Sequence, residues 1–234
     1  MRLVTVSEYS NHRDQNEEVK QVEKFKVVWI GSPNYTPGRA GRKPIAIVNH
    51  ITAGLNPGAL QWLQNPKARV SVHYLVSKKG EIFQLVKEED TAWANGAVNQ
   101  PHWPLYDGSN PNYYTLSIEH EALAGEGLTD RQYQASLWLH QQLINRWGIP
   151  IHADFIIGHY RIDSVNRKNC PGLNFPWDSL FADLRKTGEN IPAWKQDIMT
   201  RARQAGLITG QHHPDERADK WFVLEVALRV QKIK

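Results

Sequence analysis

Cysteine is almost absent from this chain of 234 residues: Cys170 is the only one. An intramolecular disulfide framework is thereby excluded, and a single thiol is left to be explained. No apolar run approaches the roughly 18 residues that a membrane span requires. The N-terminal Met1-Arg2-Leu3-Val4 turns polar at Ser7 and charged at Glu8, too short a core for a signal peptide, so work outside the cell would need another exit route. Charge of one sign is not in large excess: 28 Lys and Arg against 24 Asp and Glu give +4. That balance favours a polyanionic partner without choosing among nucleic acid, anionic lipid and an anionic bacterial wall. With no long basic block and no nucleic-acid motif, direct nucleic-acid function is set aside. A compact zinc motif of the H-E-x-x-H kind is missing too, so any metal site must be assembled from distant parts of the chain.

The length suits one full domain with a sizeable core and a small appendage. Cys170 does not sit in an apolar run, as a core thiol usually does. It closes the polar, basic stretch that begins at His159 and is stopped by Pro171-Gly172. Arg167 and Lys168 are expected to lower its pKa, favouring the thiolate, which is both the nucleophilic and the metal-binding form.

In chain order, Phe25 to Ile30 reads as a first strand after a polar arm. The Gly- and Pro-dense segment from Gly31 to Pro44 reads as a loop, in which Arg39 either touches ligand or, the favoured reading, is solvated. Ile45 to His50 is a continuous apolar run ending in a histidine, the pattern of a strand buried on both faces. Asn56-Pro57 opens a short helix that Pro66 stops. Val70 to Val76 and Glu81 to Val86 read as a hairpin around Ser77-Lys78-Lys79-Gly80, with His73 on the less apolar face. Glu88 to Tyr114 is a long loop whose Trp93, Asn95, Trp103 and Tyr106 either contact ligand or pin the loop to the core.

Leu116 to Glu121 alternates, putting Ser117, Glu119 and Glu121 on one strand face as candidate acid-base groups. Thr129 with Gln132 is a capping-box signature, and Tyr133, Leu137, His140, Ile144 and Trp147 then follow helical spacing to Gly148. Phe155 to Gly158 is a second apolar stretch that delivers a histidine, His159. A helix covers Asp178 to Lys186. Two further helices, over 193–205 and 218–232, form a pair too short for a core of its own.

His50, His159 and Cys170 each lie at a strand end or in an adjoining loop. Two imidazoles and a thiolate suit zinc and leave its fourth position open, the catalytic arrangement. Glu119 can supply a base and Lys168 a positive charge for an oxyanion. A rival reading makes Cys170 a nucleophile with His159 or His50 as its base.

The segments Ile47-Val48-Asn49-His50-Ile51-Thr52-Ala53-Gly54, Val70-Ser71-Val72-His73-Tyr74, Ser117-Ile118-Glu119, Ile157-Gly158-His159 and Arg167-Lys168-Asn169-Cys170-Pro171-Gly172 resemble, in order, the zinc-dependent type 2 N-acetylmuramoyl-L-alanine amidases. That family is related to peptidoglycan recognition proteins and T7 lysozyme. The resemblance covers about residues 25 to 187 of the chain. It implies an α/β fold with a central, mainly mixed β-sheet flanked by helices. It also implies one zinc ion held by His50, His159 and Cys170, with Cys170 following the branch that uses cysteine where many members have aspartate. Glu119 matches the acid-base glutamate and Lys168 the oxyanion lysine. Thr52, His73, Trp93 and Asn95 are expected substrate contacts. Where many relatives carry Trp-His-Ala-Gly, this chain has Trp93-Ala94-Asn95-Gly96.

The implied activity is hydrolysis of the amide between N-acetylmuramic acid and L-alanine of peptidoglycan. The alternatives are a non-catalytic peptidoglycan-binding protein and a cysteine-nucleophile wall hydrolase. The expected layout is an arm over 1–24, a zinc amidase domain over 25–187 and a small C-terminal helical module over 188–234, which either binds the cell wall or packs. Expected partners are peptidoglycan and anionic wall polymers, with no nucleic acid and no membrane, for a monomer. A phage endolysin made in the cytoplasm and released to the wall through a holin-made lesion is the expected setting.

Overall fold

The computed structural model describes residues 25–189, 198, 200–202 and 204–207. The expected N-terminal arm and most of the expected C-terminal helical module lie outside the described residues.

The strands are β1 (Val27–Trp29), β2 (Tyr35–Thr36), β3 (Ala46–Ile51), β4 (Tyr74–Val76), β5 (Ile82–Gln84), β6 (Thr91–Ala92), β7 (Thr115–His120) and β8 (Ile156–Gly158); the helices are α1 (Gly58–Gln64), α2 (Asp130–Trp147) and α3 (Trp177–Glu189). Six strands form one sheet in the order β1-β5-β4-β7-β3-β8, and β2 pairs with β6 separately. All pairs in the large sheet are parallel except the β4–β5 hairpin, so the sheet is mixed, as expected. Its interior strand β3, between β7 and β8, is buried on both faces, which is why its sequence runs apolar without alternating.

One face of the sheet packs on α2. Ile47, Leu116 and Ile118 meet Leu139 and Leu143 there, and α3 lies against α2 through Leu137, Phe175, Leu180 and Leu184. On the opposite face, Ala46 and Val48 pack with Trp103, Tyr114 and Ile162, while Leu63 behind α1 meets Val72, Leu75 and Leu85. Helix α2 starts at the foreseen capping box: Thr129 Oγ1 accepts from Gln132 N at 3.2 Å and Gln132 Oε1 from Thr129 N at 3.4 Å. The Gln132 amide also donates to the Val76 and Glu121 carbonyls, fastening the helix start to the last residue of β4 and the residue after β7. Gly148 ends the helix in the left-handed region at φ 66°, where a Cβ would be strained.

Three expectations need correction. Residues 70 to 73 are not strand: the Ser71 amide bonds the Trp93 carbonyl and the His73 amide the Ser117 hydroxyl, so neither amide joins a ladder. Arg39 is not solvated but 5% exposed. Its guanidinium donates to the carbonyls of Glu88, Asn112, Tyr113 and Thr115 and stands 2.7 Å from His73 Nε2, stapling the first loop to β7. Burial lowers its pKa to about 10, against the pull of Glu88, Glu89 and Asp90. Glu121, past the end of β7, accepts from the Asn56 backbone and amide and from Lys78 N; it shapes turns rather than joining Glu119. In the long loop, Trp103 is a pin, buried, stacked on Tyr114 and donating to the Asp154 carbonyl.

Candidate metal centre

Parallel register brings the first two functional groups together. His50 of β3 pairs with Glu119 of β7, so both side chains leave the sheet on the same face, opposite α2 and near the carboxyl ends of the strands. Open parallel sheets present ligand sites at these ends. On the other side of β3, β8 runs parallel to it and delivers His159 directly after its last residue. Cys170 arrives from the loop that follows.

His50, His159 and Cys170 each offer one ligand atom, and these atoms lie within 4.8 Å of one another. The His50 and His159 Nδ1 atoms face each other at 3.0 Å, with the rings edge to face. His159 Nε2 lies 2.8 Å from the Asn95 carbonyl. A carbonyl only accepts, so Nε2 carries the proton and Nδ1 presents a lone pair to the cluster. Burial drives His50 well below the ordinary imidazole pKa, helped by His159, and lowers His159 too; neutral imidazole is the form that binds a metal. His50 Nε2 is buried without a partner.

The thiol corrects the sequence reading. Burial, and then the Glu119 carboxylate, push Cys170 up to about 12, outweighing the pull of Arg167. Its flanking basic residues therefore do not make it a thiolate. Only a cation between the two imidazoles and the sulfur would do so, and two nitrogens with one sulfur are a donor set suited to zinc.

The cleft has a volume of about 440 Å³, and its lining combines apolar residues, among them Trp62, Leu63, Val72 and Trp93, with the polar run Asn166 to Asn169, Glu119 and the three ligand residues. Glu119 Oε2 is buried and has no partner. Burial raises its carboxyl to about 8, with Arg167 pulling the other way. A carboxyl in that range exchanges protons with water near neutral pH.

Among the expected substrate contacts, Thr52 and Trp93 line the cleft. Thr52 Oγ1 donates to the Gly54 carbonyl, and Trp93 Nε1 to Thr36 Oγ1. His73 does not line it. It is buried just before β4, between Arg39 and Ser117, because bonds to the first loop and β7 claim both ring nitrogens. Asn95 does not reach the cleft through its side chain, which donates to Thr115 Oγ1; its carbonyl orients His159 instead. Lys168 is on the rim, exposed. Trp62 was not foreseen as a cleft residue, and Arg167 was expected to act on Cys170 alone. Trp62 is 57% exposed on α1, and Arg167 is the cation whose field reaches His50, Glu119, His159 and Cys170. The exposed indole at helical position 62 was the available signal for the first; nothing in the sequence separates Arg167 from Lys168.

Comparison with known proteins gives one consistent picture. The family described as N-acetylmuramoyl-L-alanine amidase matches residues 40–173. N-acetylmuramoyl-L-alanine amidase A of Achromobacter lyticus is 27% identical over 184 residues, covering 70% of this chain and 97% of that protein. The 1,6-anhydro-N-acetylmuramyl-L-alanine amidase AmpD of Salmonella typhimurium is 31% identical over 173 residues, covering 65% and 87%. A crystal structure of a selenomethionine AmpD derivative superposes with a TM-score of 0.54 at 28% identity, covering 67% of this chain and 92% of that one.

Proposed function

The chain belongs to the N-acetylmuramoyl-L-alanine amidase family of hydrolases, and from that premise we propose that it cuts the amide between N-acetylmuramic acid and L-alanine of peptidoglycan with zinc held by His50, His159 and Cys170. The observation that carries this reading is the convergence of those three ligand atoms within 4.8 Å beside an unpartnered buried carboxyl, Glu119, at the floor of an open cleft. Zinc bound there would polarise the scissile carbonyl and make water acidic enough to attack near neutral pH. Glu119 takes the proton of the attacking water and returns it to the leaving amine. Lys168, and Arg167 beside it, place positive charge on the cleft rim for the developing oxyanion. Asn95, through its carbonyl, holds the His159 ring in the ligating tautomer. Trp62 and Trp93 offer flat apolar surface to the glycan or the peptide stem.

A cysteine nucleophile fits the site less well. With its thiol pushed up to about 12, Cys170 is almost wholly protonated at neutral pH and lacks the activation such chemistry needs. The wall as the place of action, reached through a holin-made lesion, is part of the proposal. The test is clearing of purified peptidoglycan. Chelator should abolish clearing and one equivalent of zinc restore it, whereas loss on thiol alkylation with indifference to chelator would transfer the chemistry to the cysteine.

A further inference from the structure

The two ligands that follow β8 are joined by a closed circuit of backbone hydrogen bonds. The His159 carbonyl accepts from Asp163 N at 3.0 Å, the Asp163 carbonyl from Arg167 N at 3.2 Å, the Arg167 carbonyl from Cys170 N at 2.9 Å, and the Cys170 carbonyl from Tyr160 N at 3.1 Å. The last bond returns the chain to the residue beside the first ligand. Asp163 stands within this circuit and is 4% exposed. Its Oδ1 accepts from the backbone of Val165 at 3.2 Å and of Asn166 at 2.8 Å, and the Asn166 amide donates to both carboxylate oxygens at 3.3 and 3.1 Å. An aspartate that captures the amides two and three residues on fixes the turn it starts.

The same point is stitched to the loop that orients His159. Asn99 N donates to the Ile162 carbonyl and Ser164 N to the Asn99 carbonyl, and Ser164 Oγ donates to the Gln100 carbonyl at 2.7 Å. Four residues before Asn99, Asn95 provides the carbonyl that holds His159 Nε2. One buried carboxylate therefore lies where the segment supplying Cys170, Arg167 and Lys168 meets the segment that sets the His159 tautomer.

We propose that Asp163 is a positioning residue of the metal centre: by fixing the turn from 163 to 166 it sets the separation of His159 and Cys170 and holds Arg167 and Lys168 over the cleft, touching neither metal nor substrate. This rests on reading His50, His159 and Cys170 as a metal centre. The carboxylate works as an acceptor for the turn amides. Although burial raises its pKa, the bonds from Asn166 and Val165 hold it below the ordinary value. With that acceptor gone, Val165 and Asn166 are exposed enough for water to take over their amides, so the chain folds while the ligand loop loosens. Removing a group that orients metal ligands from outside typically costs about 10- to 100-fold in metal affinity.

Cobalt(II) is the probe, because its visible spectrum reports both a thiolate bond and the coordination geometry. Metal-free wild type, Asp163→Ala and Asp163→Asn are titrated with cobalt, and their melting is followed without metal. Wild type is expected to show thiolate-to-cobalt absorption; without it the metal-centre reading itself fails. Asp163→Ala should bind about 10- to 100-fold more weakly with an altered visible band, while melting within a few degrees of wild type. Asp163→Asn, whose amide oxygen can accept the same backbone bonds, should stay within about threefold of wild type on that reasoning. Wild-type affinity and spectrum in a folded Asp163→Ala overturn the proposal, as does a lower melting temperature with the cobalt spectrum unchanged. Should Asp163→Ala not fold, Asn166→Ala removes only the amide donors to Asp163. Binding weakened about two- to fivefold then supports the proposal, and unaltered affinity overturns it.

Discussion

Replacing Glu119 by glutamine should separate activity from stability in opposite directions. The carboxyl sits at about 8 in the folded, metal-free chain against 4.5 for the free side chain, so folding at pH 7 must either hold a proton on it or bury a charge. The sign follows from proton uptake. A raised folded value means that the native state is favoured at low pH and loses ground as pH rises from 4.5 towards 8. At pH 7 the loss is at most about 3 kcal/mol. Water in the open cleft screens part of it, so about 1–2 kcal/mol is the expected share. Glu119→Gln keeps the shape and removes the titration, and metal-free protein should gain that amount in urea unfolding at pH 7 and nothing at pH 4. Hydrolysis should fall about 10²- to 10⁴-fold, the usual worth of a positioned general base. Activity within tenfold of wild type, or a variant less stable than wild type at pH 7, would refute the reasoning.

Other consequences follow from the same geometry. Arg39→Ala strands four backbone carbonyls that the guanidinium serves and should cost about 3–5 kcal/mol in unfolding free energy; a loss below about 1 kcal/mol would show that water replaces the staple. His73 and His140 are both buried, with pKa values lowered by that burial to about 3 and about 4 against 6.5. Unfolding therefore takes up protons below pH 6.5, and stability present above 6.5 should fall as pH drops, by about 2 kcal/mol per histidine between pH 7 and 5. Flat stability over that range would contradict their burial as neutral rings. Cys170→Asp should keep measurable zinc and activity, since a carboxylate oxygen is also a zinc ligand, whereas Cys170→Ala should lose about one equivalent of tightly bound zinc; equal zinc content in the two would remove Cys170 from the ligand set.

The core of the site was legible in the sequence because strands impose simple rules. A continuous apolar run ending in His50, an alternating run carrying Glu119 and a second apolar stretch delivering His159 each place a polar group at a strand end, and parallel register then brings His50 beside Glu119. Contacts set by tertiary approach were not legible. Arg39 finds partners 34 to 76 positions away, so its Gly- and Pro-rich surroundings advertised only a loop. His73 obeyed alternation on paper, yet the ladder stops short of it because its amide meets a serine hydroxyl. Asn95 acts through its backbone, which no side-chain pattern reveals. The Cys170 thiol shows the same limit from the other side: its sequence neighbours are cations, but its spatial environment is a buried corner next to a carboxylate, and environment sets the pKa.

The most direct test of the central claim is mass spectrometry of peptidoglycan fragments after digestion by zinc-loaded protein, by chelator-treated protein and by chelator-treated protein given back zinc. The account predicts stem peptides with a free L-alanine amino terminus and intact glycan strands whose muramic acid ends in a free lactyl carboxylate, in the first and third digests only. Cleavage within the glycan or the peptide, or release of the same stem peptides in chelator, would contradict it.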